Sequence, residues 1–154
     1  MAAKSAGLLL YRLRDGRLEV FIAHMGGPFW ARKDEGAWSI VKGEYEENED
    51  PLAAARREFL EETGSDPPRG RTLELGEIRQ SSGKRVVAWA IEGDFDPARV
   101  HSNTFTLEWP RGSGRLREFP EIDRAEWFDT GTARRKLVKG QVPLIEVLER
   151  QVLG

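Results

Sequence analysis

The chain has 154 residues, 39% of them hydrophobic and 32% charged, which suits one domain with a buried core and excludes a disordered composition. A net charge of -2 gives no global pull toward nucleic acid or a membrane surface, although the excess of arginine over lysine leaves room for a local basic patch. With no cysteine, disulfides and thiolate metal sites are excluded, so any metal must sit on oxygen or imidazole.

No stretch approaches the roughly 18 apolar residues of a membrane span, and the first residues lack a signal-peptide core. A single domain over residues 1–154 and a cytoplasmic location are therefore expected. In chain order, Ala6 to Leu13 is an apolar run that turns at Asp15-Gly16 into an alternating partner strand, Leu18 to His24. Met25 to Gly36 reads as a Gly/Pro-bearing loop carrying Phe29, Trp30, Arg32 and Lys33, and Trp38 to Val41 as a short strand. A helix over 51–63 is well punctuated, with Asp50 as N-cap, Pro51 at the first position and Gly64 as the left-handed residue after its end. Arg71 to Gln80 and Arg85 to Ile91 read as strands joined through Ser81 to Lys84. Val100 to Trp109 holds another, and Glu121 to Phe128 a short one. Pro110 to Glu118 reads as a flexible basic loop, and Thr132 to Val138 and Pro143 to Leu153 as helices. In the last of these, Leu144, Val147, Leu148 and Val152 recur at helical spacing. The pattern predicts an α/β (α+β) fold with a mixed sheet covered by helices.

Chemistry concentrates around the helix that begins at Pro51. Gly43, Glu49 and the run Arg57-Glu58-Phe59-Leu60-Glu61-Glu62-Thr63-Gly64 give the pattern G-x5-E-x7-R-E-F-L-E-E-T-G. At 100° per residue, Glu58, Glu61 and Glu62 share an arc of about 100°. Leu52, Ala53, Phe59 and Leu60 are expected to pack on the sheet from the other side, with Ala54 and Ala55 leaving the acidic face open. Three like charges this close raise the pKa of at least one of them unless a cation is present. An acidic run on a helix is most often a solvated face, but the fixed spacing of Gly43, Glu49, Arg57 and Gly64 argues against that here. Carboxylate oxygens favour Mg²⁺ or Mn²⁺ over zinc or copper, and such ions suit phosphoanhydride hydrolysis. Arg57 is placed to pair with Glu49 and fix a carboxylate through two hydrogen bonds.

These residues resemble a Nudix box, G-x5-E-x7-R-E-U-x-E-E-x-G-U with U apolar, in which Gly43, Glu49, Arg57, Glu58, Phe59, Glu61, Glu62 and Gly64 fall in register. Ser65 departs from the last apolar position, which bears on packing rather than chemistry. The resemblance implies an α/β/α sandwich and hydrolysis of a nucleoside diphosphate linked to another group. It further implies that Glu61 and Glu62 are metal ligands, that Glu58 is a further ligand or the general base, and that Glu49 and Arg57 orient the site. The Lys42 carbonyl would add a metal contact. A downstream acidic residue is expected too, with Glu108 first and Glu118 and Glu121 behind it.

The substrate is less legible. Trp38 to Glu44 is similar to the Trp-x-x-Pro-Lys-Gly stretch of family members acting on dinucleoside polyphosphates, nucleoside triphosphates and diphosphoinositol polyphosphates, with Val41 in place of the proline. Lys42 is then a candidate phosphate contact. Trp30, Arg32 and Lys33 pair an aromatic with cations, as stacking on a base beside a phosphate requires. Arg111, Arg115 and Arg117 lie in a glycine-bearing loop able to close on a polyphosphate, and Ser82, Lys84 and Arg85 offer a further contact. His24 and His101 are expected to be structural, and Trp89 and Trp127 to be core. The expected function is Mg²⁺-dependent cleavage of a dinucleoside polyphosphate or nucleoside triphosphate by a monomer or homodimer. The alternatives are removal of oxidised nucleoside triphosphates and a non-catalytic nucleotide-binding module.

Overall fold

In the computed structural model, which describes residues 4–154, the chain folds into a mixed seven-stranded sheet between helices, with a separate two-stranded sheet at one end. Strand β1 (Lys4–Arg14) turns through Asp15 and Gly16, both at positive φ, into the antiparallel β2 (Arg17–Met25). That is the backbone a two-residue hairpin needs, and Asp-Gly supplies it cheaply. The expected short strand after the loop divides in two. Trp38–Ser39 (β3) pairs with β2, and Val41–Glu44 (β4) pairs with the first half of β1, so the chain crosses from one strand to the other at Ile40. β1 and β2 are thereby splayed apart, and the crossover fills the wedge between them.

Helix α1 (Pro51–Thr63) follows, then β5 (Thr72–Arg79) and β6 (Arg85–Glu92), the latter parallel to β1 along its other edge. β7 (Thr104–Glu108) and β8 (Leu116–Pro120) form the small second sheet. The basic segment expected as a loop is therefore shorter: its last residues, Leu116 to Glu118, are ladder-paired with Thr106 to Glu108. β9 (Ile122–Asp129) returns along the outer edge of β2 and leads into α2 (Thr130–Lys136) and α3 (Val142–Leu153). Helix α2 starts two residues before the expected Thr132, because Asp129 caps it by accepting from the Thr132 amide at 2.8 Å.

Strand alternation sorts the core into two layers. Leu8 and Leu10 point to one face and meet Ala54, Ala55 and Phe59 of α1. Leu9 and Tyr11 point to the other and meet Leu144, Ile145 and Leu148 of α3. This is the expected three-layer arrangement. Trp89 and Trp127 are half-buried at the margin of the α1 layer rather than inside it.

The face that α1 presents differs from the expected one. Ala54, Ala55, Glu58, Phe59 and Thr63 are buried, whereas Ala53 and Leu60 are exposed, Leu60 by 42%. The small alanines let the helix backbone approach the sheet closely. Of the three box carboxylates on the helix, Glu58 is buried, Glu62 half-buried and Glu61 exposed.

Candidate active site

The best-held carboxylate is Glu58. It is 6% exposed and leans over Gly43 of β4, where a Cβ would stand 1.8 Å from Glu58 Oε2. Any side chain at residue 43 would push Glu58 out, so the glycine is a condition of the site and not merely a flexible link. Burial drives the Glu58 pKa upward, opposed chiefly by the Arg57 guanidinium.

Arg57 organises the remaining charges. Its Nε and Nη2 donate to the two carboxylate oxygens of Glu49 at 2.9 and 3.0 Å, a bidentate pair. Its Nη1 donates to Glu58 Oε1 at 2.9 Å and to the Glu61 oxygens at 3.1 and 3.2 Å. The same Glu49 accepts from the Glu46 amide at 3.2 Å, which fixes the loop ahead of the helix. Arg57 holds the Glu49 carboxyl below the ordinary carboxylate range, and Glu49 in turn raises the guanidinium pKa.

Glu62 has no such partner. Burial, followed by the charges of Glu121, Glu58 and Glu61, pushes its pKa up to about 7. It lines a cavity of about 170 Å³ in the splay between β2 and β4, together with Lys42, His24, Ser39, Ile40 and Glu121. Burial, then the Lys84 ammonium, lowers the Lys42 pKa.

Glu121 comes from just before β9. Its amide donates to Asn103 O at 2.8 Å, and its carbonyl accepts from the Gly26 amide at 2.9 Å. The register of β2 against β9 slips between His24 and Met25, and this bulge brings the residues before Ile122 beside the cavity. His24 is 1% exposed, with Nδ1 2.8 Å from Asp123 Oδ1 and Nε2 2.6 Å from Lys33 O, so it ties β9 to the 25–36 loop. His101 donates its amide to Thr63 O at 2.7 Å and closes the end of α1.

The other sequence candidates lie apart from this cavity. Glu108, placed first as the downstream acid, sits at the far end of β7 and accepts from the Gly112 amide at 2.6 Å. Glu118 accepts from Thr104 Oγ1 at 2.8 Å within the same hairpin. Of the three acids, Glu121 is the one that lines the cavity with Glu62. Sequence distance from the box gave no reason to prefer it, because its position depends on the β2–β9 bulge. Trp30 is half-buried and packs against the α3-side core, with Lys33 Nζ 5.3 Å from its ring centroid. Arg32 and Arg115 are exposed, the latter in the turn between β7 and β8, where its carbonyl accepts from the Trp109 amide. The hairpin touches the 25–36 loop through the Phe29 and Trp109 rings, 5.5 Å apart and edge to face, and through Phe105 against Gly27. Lys84 is engaged with Glu44 at 2.9 Å.

Glu58, Glu61, Glu62, Glu121 and the Lys42 carbonyl all offer oxygen, the donor atom that a hard divalent cation takes. Two observations suit that fit: the cradle over Gly43 presents Glu58, and Glu62 carries a charge cost that a cation would relieve. Among the described residues, no three acidic or imidazole groups are gathered closely enough to enclose an ion, and Arg57 serves as counter-charge to Glu58 and Glu61.

A NUDIX domain model matches residues 3–148, and the chain belongs to the Nudix family, as a hydrolase of phosphoanhydride bonds. Solved structures of similar fold include an Ap4A hydrolase binary complex from C. elegans, at 20% identity over 99% of both chains with a TM-score of 0.65. The NUDIX domain of Shewanella oneidensis NrtR complexed with ADP ribose is 14% identical over 99% of this chain and 89% of that one, with a TM-score of 0.64. The E. coli ORF135 protein is 22% identical over 97% and 91%, with a TM-score of 0.56. No curated protein matches. Among the described residues, no helix is long and apolar enough to cross a membrane.

Proposed function

We propose that this chain, taken as one Nudix domain over residues 1–154, is a Mg²⁺-dependent pyrophosphohydrolase of nucleoside polyphosphates, with Mn²⁺ able to substitute. Dinucleoside polyphosphates and nucleoside triphosphates are the substrates in view. The observation that carries this reading is the complete acidic set of α1, with Glu58 seated over Gly43 and Glu62 facing the cavity that Lys42 lines. A binding module could dispense with one of these carboxylates, and none is missing here.

Glu58, Glu61 and Glu62, with the Lys42 carbonyl, would hold the cation, and Glu121 joins them as the downstream acid in place of Glu108. When bound, the cation supplies neutralisation of the substrate's phosphate charge. Arg57, braced by Glu49, keeps Glu58 and Glu61 oriented and limits the rotamer freedom they would otherwise have to lose. Glu58 or Glu61 accepts the proton of the attacking water, and the half-buried Lys42 ammonium contacts a phosphate oxygen. Trp30, Arg32, Lys33 and Arg115 would then act at the periphery, on the base and the outer phosphates.

Similarity to the C. elegans Ap4A hydrolase fold supports the dinucleoside polyphosphate arm of this reading, as do the Trp38 to Glu44 stretch and the arginines of the hairpin. The test is incubation with Mg²⁺ and a panel of dinucleoside polyphosphates, nucleoside triphosphates including oxidised ones, sugar nucleotides and NADH, with products resolved by chromatography. Cleavage of a polyphosphate class well above the others is the expected outcome. Cleavage of sugar nucleotides or NADH in preference would overturn the substrate assignment.

A further inference from the structure

We infer that Gln141, a residue remote from the box, is a positioning residue for the site, acting through the crossover between β3 and β4. This rests on the function proposed above. Gln141 precedes α3 and is fully buried. Its Oε1 accepts from the Ile40 amide at 2.9 Å, and its Nε2 donates to Ser39 Oγ at 2.9 Å and to Gln80 Oε1 at 3.0 Å. Ser39 Oγ donates onward to Ile40 O at 2.7 Å. Every polar atom of the amide side chain is thus engaged, which fixes its orientation.

The place it grips matters more than the bonds themselves. Ile40 belongs to neither β3 nor β4 and lies where the chain changes partner strand, so its amide has no ladder to join. Gln141 stands in for the missing strand. From the other side, Ile40 is lodged against Gly7 of β1: a Cβ there would meet Ile40 Cδ1 at 2.6 Å and Lys42 Cβ at 2.9 Å. Ser39, Ile40, Val41 and Lys42 form one wall of the cavity, and Gly43 follows under Glu58. A shift of the crossover is therefore a shift of Lys42, its carbonyl and the Gly43 cradle together. A misplacement of about 1 Å is enough to cost on the order of 100-fold in rate.

The test compares Gln141→Leu and Gln141→Glu with the wild type and with Glu62→Gln. It reads kcat and KM between pH 5.5 and 8.5, Mn²⁺ affinity by titration, amide hydrogen exchange at residues 40–43, and melting. Gln141→Leu is expected to lose protection of the Ile40 amide, to melt roughly 5 °C lower, and to lose about 10- to 100-fold in kcat with little change in KM. Gln141→Glu should stay near wild type at pH 5.5, where the neutral acid replaces the amide's acceptor and one donor. It should fall behind as pH rises and the donor is lost. A purely structural residue would give a ratio to wild type that does not vary with pH while the protein is folded. If Gln141→Leu does not fold, the pH profile of Gln141→Glu decides alone. Wild-type turnover that Glu62→Gln abolishes, but that both Gln141 variants retain with unchanged Mn²⁺ affinity, overturns this inference and leaves the function standing. A wild type that neither turns over nor binds Mn²⁺ removes both.

Discussion

Helix α1 with its β4 cradle and the β7–β8 hairpin are both rich in charge, yet they are built in opposite ways. On α1 the charges of the box are constrained. Arg57 engages three glutamates, Glu58 is held over Gly43, and Glu62 is driven against its own ionisation by burial. On the hairpin, Arg111, Arg115 and Arg117 are exposed, Leu116 is 74% exposed, and the ties to the 25–36 loop include two aromatic contacts and the close approach of Gly26 to the Pro120 carbonyl. The first region holds its carboxylates in fixed geometry, as bond cleavage requires, while the second presents its cations to solvent. Under the proposed function, the chemistry would fall to the first region and the outer substrate contacts to the second.

Substitutions in the two regions should differ in kind. Gly43→Ala puts a carbon where Glu58 Oε2 now lies, so kcat is expected to fall on the order of 100-fold while KM changes little. Steady-state kinetics on folded protein checks this, and an unaltered kcat would show that the Glu58 position is dispensable. Arg57→Lys keeps the charge but loses the fork that holds Glu49 and Glu58. A drop of about 10- to 100-fold is expected, with Mn²⁺ affinity falling in parallel.

The strained charge of Glu62 has a thermodynamic signature. Its folded pKa of about 7 lies above the ordinary value of 4.5, so the folded state holds the proton more tightly than the unfolded one. The resulting stability is fully present below pH 4.5 and is lost as pH rises through about 7. Metal-free protein should therefore melt several degrees lower at pH 8 than at pH 6, and saturating Mg²⁺ or Mn²⁺ should narrow the gap. Equal melting at both pH values without metal would contradict the charge cost assigned to Glu62. The smallest effect belongs to the hairpin. Arg115→Ala is expected to raise KM about 3-fold for a polyphosphate, in a salt-dependent way, and to leave kcat unchanged.

What the sequence disclosed follows the same division. The caps at Asp50 and Gly64, the Asp15-Gly16 turn and the box itself depend on neighbouring residues, and each appears where the local pattern placed it. The orientation of α1 did not follow from local pattern. Leu60 looked like the packing residue, but Ala54 and Ala55 are what a close approach to the sheet selects. The crossover at Ile40 depends on strand pairing with β1 and β2, while its support by Gln141 and the arrival of Glu121 beside Glu62 join residues about 60 or more positions apart through side-chain hydrogen bonds and a bulge. No periodicity in the chain encodes them. The pairing of Leu116 to Glu118 was hidden for a related reason, since glycines and arginines around it carry the composition of a loop.

The most direct measurement is hydrolysis of a dinucleoside polyphosphate across a Mg²⁺ titration, by wild type and Glu62→Gln side by side. Cleavage should rise with Mg²⁺ for the wild type and fall on the order of 100- to 1,000-fold for the variant, which removes one negative charge and little volume. Equal turnover by both proteins, with metal present and both folded, would contradict the assignment of the chemistry to the carboxylates of α1.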